Sequence, residues 1–311
     1  MNKKMGPITE VYSKLGESLK SGKWTWTGEI EPEKTTNLEE VIHTAKILAG
    51  HVVAANVTDN PQSFGCMNSL VPSYLIQKEA GLEAIWQVTC RDRNRLGLLS
   101  DILAAGNLGI KNILALTGDH TTSGDNPQSM PVFDLDSAQL VYMIKKIMAG
   151  HDLAGNEIEN PPKFHIGVAG APGAEPLEPE ILKIERKIKV GGEFIQTQVV
   201  YDMEIAKRFL DSVKHLKVPT LIGICPLKSY KMAKWMDEFC PGIFVPPEIL
   251  EDLKKIQDAP KEERRQKTDE WNINFFESWL KELKKTTSAA GCHIMAVGFE
   301  YIVADIVKLV K

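Results

Sequence analysis

The chain has 311 residues, 43% of them hydrophobic and 25% charged, with a formal net charge of −4 at pH 7. A chain of that length can bury a full core, and its composition is that of an ordinary globular protein. The near-balance of charge, with no run of about five like-signed residues, leaves no electrostatic footprint for nucleic acid or an anionic membrane surface, and no window approaches the roughly eighteen apolar residues of a membrane span.

The opening segment, MNKKMGPITEVYSKLGESLKSGK, is basic but has no apolar stretch of signal-peptide length. It predicts an amphipathic helix covering the start of the fold, in a cytoplasmic protein. Beyond it, short β-branched or aromatic runs alternate with longer segments of helical spacing, the pattern of parallel strands joined by crossover helices. The first strand is expected at WTWTGEI, 24–30, with a helix at 37–49, then VVAANVT at 52–58 with a helix at 67–80. EAIWQVT at 83–89 is followed by a helix at 93–106, and KNILALT at 111–117 by a helix at 135–149. KFHIGVA at 163–169, FIQTQVV at 194–200 and VPTLIGI at 218–224 precede helices at 178–190, 202–215 and 228–239. The stretch 246–285 exceeds one unit and predicts extra helices, its KEERR run forming a solvated face; HIMAVGF at 293–299 and a closing helix in FEYIVADIVKLV complete the chain. Eight units in one domain over 1–311 fit a closed (β/α)8 TIM barrel of the α/β class better than an open doubly wound sheet.

The five cysteines, Cys66, Cys90, Cys225, Cys240 and Cys292, form no C-x-x-C pair, and the seven histidines show no metal-binding spacing. Reduced, mostly buried thiols and no protein-bound metal are expected. The G-x-x-G-x-x-G spacing of Gly167, Gly170 and Gly173 is not the dinucleotide fingerprint; these glycines are expected to let a flat ligand approach the backbone.

In such a barrel the active site lies at the carboxyl rim of the strands. The strand map places there Glu29, Thr58 and Asp59, Gln87 and Thr89, Asp119, Gln198 and Tyr230. Alternation puts Thr27, Glu29 and Glu31 on one face, and a carboxyl group in a barrel mouth is partly desolvated. A strand-end Glu is more often a structural carboxylate held by backbone donors or a lysine, so position alone weighs modestly for Glu29. Asp119 has the stronger local case, since Gly118 permits close backbone approach and the polar loop HTTSGDNP follows. Arg186 and Lys187 could meet a phosphate or simply be solvated.

The segments GEIEP, NVT, ALTGDH, IGVAGAPGAEP, IERKIKVGGEFIQTQVVYD and GICPLKSYKMA, in this order and spacing, resemble the flavin-dependent methylenetetrahydrofolate reductases, and the resemblance runs through nearly all of the expected barrel. It implies FAD, rather than FMN, across the carboxyl rim, and reduction of 5,10-methylenetetrahydrofolate to 5-methyltetrahydrofolate in one-carbon metabolism, toward methionine biosynthesis or the Wood-Ljungdahl pathway. By resemblance Glu29 is the general acid, Asp119 lies between flavin and pterin, Gln198 binds the pterin and Tyr230 stacks on substrate. Thr58, Asp59, Gln87, Thr117, Gly118, Gly170, Ala171, Glu180, Arg186 and Lys187 map to flavin-contacting positions.

The chain departs from the family at Glu31-Pro32-Glu33, where an aromatic-Pro-Pro ending is usual, and at Ala171 and Glu175, where a tyrosine and a histidine are usual. Its MAVGFEYIV ending differs from the polar ending of nicotinamide-using members, which leaves NAD(P)H open as donor and resembles reductases of anaerobic one-carbon pathways. Some of those take electrons from a zinc and iron–sulfur partner subunit. Folate or a related pterin as carrier and an oligomeric state are expected. Two alternatives remain, a flavin- or folate-binding subunit of a larger complex and a pterin-dependent methyltransferase barrel without flavin.

Overall fold

The computed structural model describes residues 8–310. The first helix, α1 (Lys14–Ser21), starts where the Ser13 hydroxyl accepts from the Gly16 N–H and stops at Gly22 in the left-handed conformation. The part of the expected amphipathic segment before residue 8 lies outside the described residues. Leu15 and Leu19 of α1 are buried with Ile8, Ala54, Ile85, Leu114, Phe194 and Leu221, so the helix closes the amino end of the barrel.

The strands are β1 (Thr25–Ile30), β2 (Ala54–Val57), β3 (Glu83–Thr89), β4 (Asn112–Leu116), β5 (His165–Gly170), β6 (Phe194–Val199), β7 (Thr220–Ile224) and β8 (Gly291–Ile294). All neighbours pair in parallel, and β8 returns to β1 through Thr27 opposite His293, closing the barrel. The helices α2 (Glu39–Leu48), α3 (Leu70–Ala80), α4 (Arg95–Asn107), α5 (Ser137–Met148), α6 (Glu178–Lys189), α7 (Met203–Val213) and α8 (Tyr230–Phe239) follow their strands in turn. Side-chain caps set several starts: Asn94 for α4, Asp136 with Gln139 as a capping box for α5, Asp202 for α7 and Ser229 for α8. The apolar outer faces of the strands pack beneath this ring in two clusters, one around Trp86, Phe164 and Phe209 and the other around Ile222, Phe276 and Leu280.

The insertion before β8 is a pair of helices, α9 (Pro247–Asp258) and α10 (Lys261–Thr286), and α11 (Val303–Lys308) ends the described chain. Residues 261–265, the KEERR run, are exposed as expected. Fully buried Asn272 of α10 accepts from the Leu227 N–H at 2.8 Å and donates to the Leu227 carbonyl at 3.0 Å. This clamp fixes the β7–α8 loop against the insertion.

Strand eight departs from its expected span. The apolar run continues through Met295 to Phe299, but the strand stops at Ile294 and begins two residues before His293, at Gly291. Gly291 lies so close to the Thr25 backbone that a side chain there would collide with it.

Candidate functional site

Inside the mouth the strands build one connected polar network. On β1 the Thr27 hydroxyl lies 3.0 Å from His293 Nδ1 and accepts from Gln196 Nε2 at 3.1 Å. Asn56 Nδ2 donates to Gln196 Oε1 at 3.1 Å. His293 Nε2 and Gln87 Nε2 both lie 3.3 Å from Glu29 Oε2. The donor order that gives Glu29 a ring donor has Thr27 donating to His293 Nδ1 and the imidazole carrying its hydrogen on Nε2; Asn56 Nδ2, 3.4 Å from that same nitrogen, then donates to Gln196 alone. Glu29 is thus held by one oxygen. Oε1 has no hydrogen-bond partner among the described residues, and the side chain is 10% exposed.

Above the network lies a cavity of about 290 Å³ lined by Glu29, Gln87, Gly170, Ala171, Glu180, Lys187 and Gln198, all expected at the site, with His293, Asn56 and Thr197 beside them. A register irregularity between Gln196 and Val199 interrupts the β6–β7 pairing. It lets Gln196, Thr197 and Gln198 all reach the cavity, which strict alternation would forbid. Gly223 of β7 accommodates the irregularity: a side chain there would press on the Thr197 and Gln198 carbonyls.

Lys187 Nζ donates to the Ala169 carbonyl at 3.0 Å, and burial lowers its proton affinity. Glu180 Oε1 accepts from the Ala171 N–H at 3.2 Å. Three buried polar atoms at this end, Asn56 Oδ1, Thr58 Oγ1 and Thr121 Oγ1, have no partner among the described residues. Such atoms suit a ligand edge that carries hydrogen-bonding groups.

Glu31 stands just beyond β1. Its carboxyl is pushed up to about 7, first by burial and then by Glu29, with Lys228 opposing. Around neutral pH this group holds a proton for part of the time.

The remaining expected residues are not in the lining of this cavity. Asp119 is exposed on the loop after β4, and its backbone carbonyl accepts from buried Arg91 at 3.4 Å. No hydrogen bond to its carboxylate occurs among the described residues. Gly118 takes φ 92°, and a Cβ there would meet the Thr89 and Arg91 side chains at 3.1 Å. The Thr117 hydroxyl accepts from the Ser137 N–H at the start of α5, at 3.1 Å. Asp59 is buried and accepts from the Thr89 N–H and hydroxyl and from both terminal nitrogens of Arg93, the shortest at 2.7 Å. Its oxygens are already occupied by protein donors. Arg186 is exposed and reaches Asp136 at 3.6 Å. Tyr230 lines a second cavity, between α8, α9 and α10.

The glycines in and after β5 sit at close chain packing. A Cβ at Gly167 would strike Phe194, at Gly170 Phe209, and at Gly173 the Gly242 carbonyl. Of the three, Gly170 also lines the cavity. His293, Asn56 and Gln196 were absent from the sequence reading of the site. A polar residue on the inward face of a strand, His293 opposite Thr27 in register, was the available signal.

The described cysteines are all free thiols, with Cys90, Cys225 and Cys292 buried and Cys66 and Cys240 half-buried. No helix among the described residues is long and apolar enough to cross a membrane.

Known proteins resemble the chain in sequence and in fold. The chain is 29% identical over 161 residues to the 5,10-methylenetetrahydrofolate reductase of Salmonella typhimurium, covering 51% of this chain and 49% of that protein. It is 24% identical over 259 residues to a methylenetetrahydrofolate reductase (NADH) of Zea mays, covering 80% of this chain and 43% of that one. The matched segments therefore span about half of these relatives' length or less. Among solved structures, a protein from Clostridium thermocellum described as binding two copies of 5-methyl-5,6,7,8-tetrahydrofolic acid superposes with a TM-score of 0.64 at 17% identity, covering 95% of this chain and 98% of that one, which shows the shared fold. The family model described as methylenetetrahydrofolate reductase matches residues 14–311, and the chain belongs to that family.

Proposed function

We propose that this barrel reduces 5,10-methylenetetrahydrofolate to 5-methyltetrahydrofolate with FAD bound across its carboxyl rim. The observation that carries the reading is Glu29, pinned through one oxygen by His293 and Gln87 with the other turned to a cavity that Gln198 and Lys187 share. The family and the folate-binding solved relative support it.

The residues present fit the cofactor. The mouth offers the unpartnered Asn56 Oδ1 and Thr58 Oγ1, the partly desolvated Lys187 ammonium and an apolar wall at Leu116 and Ala169 to Ala171. When bound, FAD would supply the hydride. Glu29 Oε1 delivers the proton that opens the five-membered ring of the folate, a role that contributes about 10² to 10⁴ in rate. Gln198 hydrogen-bonds the pterin. Asp119, on the exposed rim, and Tyr230, beside the neighbouring cavity, reach a ligand larger than the cavity itself.

A cytoplasmic setting and an oligomeric state belong to the same reading. Its donor is either NAD(P)H or a zinc- and iron–sulfur-bearing partner subunit. Anaerobic titration of the purified protein tests the reading. A flavin spectrum bleached by 5-methyltetrahydrofolate, the reverse direction, is the expected result. A colourless protein that takes up no FAD, or a bound flavin indifferent to the folate, would overturn it. Adding NADH to the same oxidised sample shows whether the chain accepts electrons directly.

A further inference from the structure

The insertion that lengthens the barrel also builds a second cavity. It measures about 470 Å³ and is bounded by the loop before α8, the first turn of α8, the end of α9 and the start of α10. Three cationic side chains line it, Lys228, Lys231 and Arg264, against one carboxylate, Asp258.

Positive side chains on a surface usually find a carboxylate or face open water. None of these three has a carboxylate oxygen within ion-pair distance among the described residues, although the structure pairs many other Lys and Arg in this way. Lys228 Nζ donates instead to the Val297 carbonyl at 2.7 Å, and Arg264 Nε to the Ala259 carbonyl at 2.8 Å. Both heads are therefore held in place by neutral acceptors: Lys228 is within electrostatic reach of Glu31 but makes no ion pair with it, and Arg264 has no carboxylate at ion-pair distance among the described residues. The scaffold beneath them is rigid, because Asn272 takes both backbone groups of Leu227, and the Ser229 hydroxyl caps α8. Ser229, Tyr230 and Lys231, the cap and first residues of α8, line the cavity.

The cavity lies next to the mouth. Lys228 is close enough to Glu31 to lower its proton affinity, and the segment carrying Val297, which Lys228 grips, also carries Met295, a lining residue of the first cavity.

We propose that the α8–α9–α10 cavity is a subsite for a multiply charged anionic tail, whose ring-bearing end occupies the mouth. Its assignment to a folate ligand rests on the function proposed above. Two tails share this chemistry, a chain of glutamyl carboxylates on the folate and the pyrophosphate of a dinucleotide. Fixed, unpaired cations favour such a group without needing to be reoriented, and screening by salt weakens the attraction.

The test uses the whole protein and two charge reversals on exposed residues, Lys231→Glu and Arg264→Glu, combined, with Lys254→Glu on α9 as a control of the same kind. Calorimetric binding is measured for 5-methyltetrahydrofolate with one and with three glutamates, for free γ-linked triglutamate, and for ADP-ribose. The subsite predicts that the natural chain favours the triglutamyl folate or the ADP-ribose, that the double variant weakens that ligand by about tenfold or more, and that monoglutamyl binding moves by less than about twofold. Loss confined to the triglutamyl compounds identifies the carboxylate tail, and loss confined to ADP-ribose the phosphate tail. Equal binding of mono- and triglutamyl folate together with no ADP-ribose binding, or a double variant that behaves like the Lys254→Glu control, overturns the proposal. If no folate binds while triglutamate or ADP-ribose binding still depends on Lys231 and Arg264, the function proposed above fails and the subsite stands.

Discussion

The two ends of this barrel are built from similar residues and put them to opposite use. At the amino end, every member of a buried polar cluster has a protein partner. His165 lies 2.7 Å from Glu193 through Nδ1 and accepts the Tyr12 N–H through Nε2, while Glu83 accepts from the backbone of Lys14 and Leu15, and Asn112 accepts from Ser13. At the carboxyl end, His293 and Glu29 form a comparable pair, but Glu29 keeps one oxygen free, and Asn56 Oδ1, Thr58 Oγ1 and Thr121 Oγ1 have no partner among the described residues. One buried polar atom near the amino end, Trp24 Nε1, shares that condition. On the proposed function the contrast separates stability from function: saturated groups hold α1 as a plug, and unsaturated groups are left for a ligand.

The contrast can be broken by substitutions at either end. The largest expected effect is at Asp59, which lies at the mouth yet is saturated. Asp59→Ala leaves the Arg93 guanidinium and the Thr89 N–H short of their acceptor, which should cost about 3–5 kcal/mol in thermal or denaturant unfolding. A loss of flavin affinity with unchanged stability would instead assign Asp59 to the ligand.

At the plug, Gly16 lies against the His165 ring, so that a methyl group would overlap it. Gly16→Ala should cost about 1–3 kcal/mol of stability and leave turnover per folded molecule unchanged. At the mouth, His293→Leu should lower turnover about 10- to 100-fold by releasing Glu29 from its orientation. Gln at the same position, which can still donate to Glu29, should restore part of it.

The smallest effect is at Glu31. Its carboxyl titrates near 7 in the folded chain and near 4.3 when unfolded. Between those values the folded state binds more protons, so this group's contribution to stability falls as pH rises through the window. Glu31→Gln should therefore raise stability by about 1–2 kcal/mol above pH 7 and leave it unchanged below about pH 4. A gain of the same size at both extremes would remove the titration from the account.

Much of this arrangement was legible in the chain. Strand β3 occupies its expected span from Glu83 to Thr89, because a β-branched and aromatic run ended by turn residues admits few readings. Glu29 and Gln198 reached the mouth through strand position alone. Strand β8 was misplaced because hydrophobicity continues past Ile294 and the close approach at Gly291 leaves no mark on composition. His293 escaped notice since its partners Thr27 and Glu29 are 266 and 264 positions away, and only closure of the barrel joins them. The β6 irregularity that turns both Thr197 and Gln198 to the cavity was hidden for a related reason, since strict alternation assigns them to opposite faces.

The central claim is that Glu29 acts on the ligand while its surroundings bind it. The direct measurement is stopped-flow bleaching of the bound flavin in Glu29→Gln, once with 5-methyltetrahydrofolate and once with dithionite as artificial reductant. The account predicts intact flavin content, unchanged reduction by dithionite and a folate half-reaction slowed by about 10² to 10⁴. Folate-driven bleaching at the natural rate in that variant would contradict it.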